Sequence, residues 1–312
     1  MNCIRDIYEE VLVLQQCRAL SAKVPLHRIK MFAVDLAMVA LSVRTGYLID
    51  AFTLQGDRNP SWTWNQLLQG LCQRNSEFKG VVHIYDPQSE QSFFVNISLF
   101  LSRAQRCLLL SSTDNPAPSF LEKGSDIQPI SKPTSFVSLL PDGSFHPSFS
   151  DIPVELPAVL RELITQTQLI SESSVRERST VTLPPILPYN VTVPLAGFLL
   201  EYPVALCPVL IPGTDMSSFL TQVPLRVYRC LLNIEDTTGK SSATSQQNPH
   251  LLVQFSIPSV LESSHPETHS SSVISSRLEE TFNARLATVF AGRGVPSLTI
   301  VHSVRTLDRV AL

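Results

Sequence analysis

Charge is what this sequence lacks most. Only 16 % of its 312 residues are Asp, Glu, Lys or Arg, against about 25 % in ordinary globular domains. Ser, Thr, Gln and Asn supply most of the remaining polarity, and a surface thin in charge is poorly protected against association. The balance, 24 Lys+Arg against 27 Asp+Glu, leaves a net charge of −3. Nucleic-acid binding needs concentrated cations facing phosphates. The densest basic stretch here, Arg18, Lys23, His27, Arg28 and Lys30, is modest and follows the acids Asp6, Glu9 and Glu10. No nucleic acid is expected as a partner.

Glycine is scarce as well, 11 residues of 312. That counts against chemistries that cradle phosphates on glycine loops, where the backbone must approach closely. Long apolar runs are absent. The best candidate, 194–212, contains Glu201 and the prolines Pro194, Pro203, Pro208 and Pro212, which a spanning helix would not tolerate together. No membrane partner is expected. Arg5, Asp6, Glu9 and Glu10 interrupt the stretch where a signal peptide would be apolar. Cys3, Cys17, Cys72, Cys107, Cys207 and Cys230 form no CxxC pair and read as buried small hydrophobes. The expected location is cytoplasmic or nucleocytoplasmic.

What is present is a folding composition, 44 % hydrophobic, with 23 prolines punctuating it. An amphipathic helix is predicted over Ile4–Leu14 and stopped by Pro25. Met31-Phe32-Ala33-Val34 within Ile29–Leu36 reads as a buried strand, Ala37–Val43 as strand or helix, and Tyr47–Leu54 as a strand. Asn59-Pro60 opens a helix carrying Trp64, Leu67, Leu68 and Leu71 on one face. A hairpin is predicted from Gly80–Tyr85 and Ser92–Ile97 around Asp86-Pro87. Leu99–Leu110 is ambiguous, with Cys107–Leu110 read as a strand. A short hairpin is expected at Ser135–Leu140 and Ser144–Phe149, a helix at Pro157–Ile170, and strands at Tyr189–Leu200, Val204–Ile211, Leu225–Asn233, Leu251–Ile257 and Ser297–Val304. Ile274–Phe290 is predicted to be the last helix, with Ser276 and Glu279 at capping-box spacing and Gly292 at its end. Strands grouped between helices, without regular βαβ alternation, give an α+β class with a largely antiparallel sheet and flanking helices. One domain, 1–312, is expected, with loops at 111–133, 235–249 and 262–272.

The motifs of common enzymes are missing: no HExxH, no GxSxG, no kinase set, no zinc spacing. No residue is assigned to a cofactor or a metal. Gly239-Lys240-Ser241 mimics the end of a phosphate loop, but position 234 is Ile where the motif needs glycine. His265 and His269 have metal-ligand spacing, yet Pro266 and the surrounding serines point to a solvated loop. The catalytic candidates are Asp35, which interrupts an apolar run, Asp86, which ends a strand, and His83, two residues before Tyr85 on the same face. Each has a plain structural reading: Asp35 as a cap, Asp86 as a turn former, His83 as a buried strand residue. Glu201 is placed in a surface turn needing no partner. Trp64 belongs to the core stripe of its helix; core packing is the default for Trp62 as well, with exposure to a partner as the alternative.

The C-terminal third has an ordered set of segments: Gly197-Phe198-Leu199-Leu200, Glu201-Tyr202-Pro203-Val204-Ala205-Leu206, Pro224-Leu225-Arg226-Val227-Tyr228, Leu251-Leu252-Val253-Gln254-Phe255-Ser256-Ile257-Pro258 and Arg309-Val310-Ala311-Leu312. Over residues 195–312 they resemble the uncharacterised vertebrate family of the chromosome 1 open reading frame 74 protein. That family has glycine before its Tyr-Pro pair, where this chain has Glu201, and shorter loops than those at 235–249 and 262–272. The resemblance implies a soluble protein and no reaction, cofactor or catalytic residue. Two readings follow. One is a non-enzymatic protein-interaction protein with an exposed apolar patch. The other is a small-molecule enzyme or ligand-binding protein, in which Asp35, His83 and Asp86 converge on one pocket.

Overall fold

The computed structural model describes residues 2–16, 24–51, 54, 60–111, 133–139, 145–146, 152–172, 180–209, 220, 223–234, 249–292 and 294–306. Most of the predicted loops at 111–133 and 235–249, the Gly239-Lys240-Ser241 fragment and the turn at 141–143 lie outside the described residues.

Three helices form the N-terminal layer. Cys3, Ile7, Val11 and Leu14 recur at three- and four-residue spacing along α1 (Asn2–Gln16) and are all buried. Helix α2 (Leu26–Ala40) starts behind Pro25, and α3 (Pro60–Arg74) has Trp64, Leu67, Leu68 and Leu71 on its buried face. Arg74 at the end of α3 ties it to α1 through Glu9 and Glu10, each 2.7 Å away. Helix α2 replaces the strand expected at Ile29–Leu36. Its interior positions from Phe32 onward are buried nearly all round, and a helix without a polar face shows no helical period in its sequence.

Three sheets follow, and five of the seven strand pairings among the described residues are antiparallel. The class is α+β. The first sheet contains β1 (Gly46–Leu48), β2 (Val81–Asp86), β3 (Gln91–Asn96) and β6 (Thr180–Thr182), in the order β1-β3-β2-β6. The β2–β3 hairpin runs in register from Val81↔Asn96 to Asp86↔Gln91. The second sheet has the order β5-β4-β7, from β4 (Ser135–Leu139), β5 (Phe145–His146) and β7 (Val204–Pro208). The third is β10-β8-β9, from β8 (Pro224–Asn233), β9 (His250–Pro258) and β10 (Ser297–Thr306).

Helix α4 (Ile97–Ser111) takes in the residues read as a strand at Cys107–Leu110. Asn96 starts it, its Oδ1 accepting from the Leu99 amide at 3.0 Å, a side-chain cap for one of the open amides of the first turn. Helix α5 (Leu156–Glu172) lies where it is expected. Helix α6 (Tyr189–Leu199) corrects the strand expected at Tyr189–Leu200. Val191, Thr192 and Val193 favour strands locally, but the element packs on β7 with Gly197 against Ala205, where an added Cβ would lie 3.1 Å from the Ala205 Cβ. The Ser-rich segment expected as a loop at 262–272 is α7 (Val260–Ser264), α8 (Pro266–His269) and the start of α9 (Ser271–Val289). Helix α9 therefore begins behind Ser270, and Ser276 and Glu279 lie inside it rather than at its cap. Gly292 just beyond it has φ +75°, the left-handed conformation that ends helices.

Two large cores result. One gathers α1, α2, α3, the inner faces of β8 and β9, and α9 around the aromatic group Phe32, Trp64 and Phe94. The other lies between the first sheet, α4, α5 and α6. Tyr202 packs against both. At the seam, an added Cβ on Gly46 would sit 2.5 Å from the Leu199 carbonyl oxygen, a contact that only a backbone shift can relieve. Gly46→Ala is expected to cost about 1–3 kcal/mol, the usual range for overpacking. Urea titration checks it, and an unchanged midpoint would show that β1 and α6 are not pressed together.

Candidate functional site

The structure does not bring Asp35, His83 and Asp86 together. Asp35 is on α2, not on a strand, and its Oδ1 is 2.8 Å from Arg44 Nη1 and 3.1 Å from His250 Nε2. This buried cluster ties α2 to the first residue of β9. His83 is fully buried on β2, with Nδ1 3.1 Å from Thr180 Oγ1 and Nε2 without a partner. Burial pushes its pKa down to about 3, so it is neutral. Asp86 closes its own turn, accepting from the Gln88 amide at 3.0 Å and the Ser89 hydroxyl at 2.6 Å. No hydrogen bond or ion pair joins any two of the three. His265 and His269 also depart from expectation: His269 is buried on α8, and burial followed by the charges of His265 and Arg277 lowers its pKa to about 4. No cluster of three His, Cys, Asp or Glu side chains that could hold a metal occurs among the described residues.

The residue misread from the sequence is Glu201. It is buried and has φ +63°. The Tyr202 amide donates to the Gly197 carbonyl and the Glu201 amide to that of Phe198, so Glu201 fills the helix-ending position usually held by glycine. A non-glycine residue there costs about 1–2 kcal/mol. Its side chain offsets that cost. Arg285 of α9, 1 % exposed, grips the carboxylate with both terminal nitrogens, at 2.8 and 2.7 Å. The amide and hydroxyl of Thr45 donate to Oε2 at 3.2 and 2.9 Å. Arg285 also donates to the Val43 carbonyl.

Arg103 of α4 stands beside this pair, its Nε 3.9 Å from Glu201 Oε1. Its terminal nitrogens donate to the Phe198 carbonyl at 2.6 Å and to Thr134 Oγ1 at 3.0 Å, and the guanidinium lies over the Phe198 ring. Burial lowers its pKa, against the pull of Glu201. A cavity of about 10 Å³ adjoins the group; Arg103, Glu201, Arg277, Thr281, Leu278 and Phe282 are among its lining residues. A carboxylate engaged on both oxygens by one guanidinium and by Thr45 is a structural hub, poorly placed to move protons. The signal available in the sequence was a lone acid inside an apolar, proline-rich run.

The second unusual feature is an edge. Strand β10 pairs with β8 over its whole length, from Ser297↔Asn233 to Thr306↔Pro224. No strand pairs with its other side among the described residues. Apart from Leu298 and Ile300, every residue of β10 is exposed, Val301 by 41 % and Val304 by 51 %. The strand has no proline, no bulge against β8 and no acid; Arg305 is its one formal charge. Natural sheets block long edges with such devices; among the described residues, β10 carries one of them, the charge of Arg305. Directly paired residues share a face, so Thr299, Val301, Ser303 and Arg305 lie on one face with Arg229, which stands opposite Val301.

No helix among the described residues is long and apolar enough to cross a membrane. Neither the models of known protein families, nor the curated proteins, nor the solved structures include a match to this chain.

Proposed function

We propose that this protein is a non-enzymatic interaction protein that docks an extended segment of another polypeptide along the open edge of β10. The observation that carries this reading is a ten-residue strand that, among the described residues, is paired on one side only, is exposed except at Leu298 and Ile300, and has no proline, bulge or acid. Adding a strand to such an edge gives main-chain hydrogen bonds for affinity and alternate side-chain contacts for specificity. The basic pair Arg229 and Arg305 on the outer face selects the partner: a segment apolar at alternate positions, with an acidic residue reaching these guanidiniums. The low charge of the chain agrees with this reading. The resemblance of residues 195–312 to an uncharacterised family adds no activity to it.

The test is site-specific photo-crosslinking in cells. A photoreactive residue at Thr299 or Val301 is expected to capture one recurrent protein through a segment containing acidic residues. The same residue at Val154, also exposed, is the control. Capture of a second copy of this chain would replace the heterologous partner by self-pairing. Labelling at β10 no different from that at Val154 would end the proposal.

The reading of the chain as an enzyme with a site built from Asp35, His83 and Asp86 has no geometric support, because the three side chains serve separate local networks.

A further inference from the structure

Hydrogen bonds at one end of the third sheet set the phase of the β10 edge. The Ser259 amide donates to the Pro224 carbonyl at 2.8 Å, so Pro224 turns toward β9. In an antiparallel ladder, successive residues turn their N–H and C=O groups alternately to one neighbour and the other. Arg226 and Tyr228 therefore bond to β9 as well. Leu225, Val227 and Arg229 turn toward β10, where they meet Arg305, Ser303 and Val301. Pro258 agrees with this phase: it stands opposite Leu225, in a pair that needs no N–H from it. The main-chain groups that β10 turns to its open side are those of Leu298, Ile300, His302 and Val304.

The same residues carry their side chains on the inner face, opposite Leu232, Cys230, Tyr228 and Arg226. His302 is exposed, with its ring 5.6 Å from that of Tyr228. Its Nδ1 is 3.1 Å from Arg226 Nη1. A guanidinium only donates, so Nδ1 accepts and the ring carries its proton on Nε2. Arg226 is held in turn by Glu262, whose other oxygen accepts from the Ser271 amide at the start of α9 at 3.0 Å. The imidazole is thus oriented before any segment arrives, which lowers the cost of binding. We infer that His302 is the specificity-determining residue of the β10 edge, its Nε2–H taking a side-chain oxygen of Asp, Glu, Asn or Gln on the partner residue beside it. Residues side by side in a ladder share a face. The partner residues two positions to either side therefore lie beside Ile300 and Val304, and aliphatic side chains suit them. The segment that fits reads aliphatic-x-acceptor-x-aliphatic. The inference rests on the docking reading above and adds to it the register and the inner-face contact.

Two measurements on the full chain test it. In amide hydrogen exchange followed by NMR, Ile300, His302 and Val304 are expected to exchange about tenfold faster than Val301 and Ser303, whose amides bond to β8. Equal rates or the reverse order would overturn the register. The second measurement repeats the crosslinking in cells with the photoreactive residue at Thr299. His302→Phe keeps a ring against Tyr228 and removes the N–H, and is expected to cut capture about fivefold, the effect of one hydrogen bond. His302→Gln keeps an acceptor for Arg226 and a donor for the partner, and is expected to retain capture. The captured segment is expected to carry its acceptor residue between two aliphatic ones. Undiminished capture with His302→Phe, or an equal loss with His302→Gln, would overturn the inference and leave the docking reading standing. Labelling at Thr299 no different from that at Val154 in the unsubstituted chain would end both.

Discussion

Glu201→Gln is expected to lower the stability of this protein by about 3–5 kcal/mol, the range for removing one partner of a buried ion pair. The neutral amide keeps the shape but leaves Arg285, 1 % exposed, with no charge to face. Arg103 loses its nearest carboxylate at the same time. One NH₂ group would also point at donors that now meet an acceptor, the Arg285 nitrogens or Thr45. Against a total stability of about 5–15 kcal/mol for a typical protein, that is a large fraction. Urea unfolding followed by circular dichroism measures it. The double variant Glu201→Leu with Arg285→Met distinguishes pairing from packing: because Arg285 is then no longer left unpaired, it is expected to be more stable than Glu201→Leu alone. A loss below about 1 kcal/mol in Glu201→Gln would show that the carboxylate is dispensable.

The second large effect is acid sensitivity well above the carboxylate range. His83 and His269 have pKa values of about 3 and about 4 in the folded chain, from an ordinary 6.5. In both cases burial is the main cause, since the charged ring would have to leave water. The unfolded chain binds protons on these rings more readily than the folded one, so unfolding is favoured as pH falls below 6.5. Their contribution to stability is complete above pH 6.5 and is lost progressively down to the folded values. At pH 5 each ring has cost about 2 kcal/mol. Carboxylates add little between pH 7.5 and 5, because their ordinary values lie near 4. Urea midpoints at these two pH values are expected to differ by an amount equivalent to about 4 kcal/mol in all. His83→Phe is expected to remove about half of the difference. Equal stability at both pH values would contradict the neutral, buried state of the rings.

The elements most legible in the sequence were those with a visible period or a punctuating residue. Pro60 and the leucine face of α3, the Asp86-Pro87 hairpin, α5, and the apolar stripe that starts at Ile274 in α9 all lie as expected. The failures have a common origin. In α2 and α6 the buried surface extends around the helix, so apolar residues stand side by side as they do in a central strand. Local β-branching then argues for the wrong element, and tertiary packing overrides it. The ionic hub was hidden for another reason. Thr45, Arg103, Glu201 and Arg285 are far apart in the chain, and no spacing rule links them. Asp35 was singled out, but as a possible catalyst. Its partners Arg44 and His250 lie 9 and 215 positions away, and the distant one could not be guessed. The exposure of β10 was equally invisible, because a strand's neighbours decide whether its apolar residues are covered.

The Glu201 hub also bears on how this chain reaches its native state. Its bonds span 84 positions to Arg285 and 156 to Thr45, and Arg285 reaches across 242 to Val43. Closing loops of that length is entropically slow, and such contacts form late on a folding route. A ribosome must therefore complete α9 before the turn after α6 can be fastened. Until then, Glu201 and its arginines are hydrated side chains on unfastened segments. A lock that forms after the rate-limiting barrier does little to speed folding but slows escape from the folded state. The energy concentrated at this carboxylate thus acts on the lifetime of the protein once made.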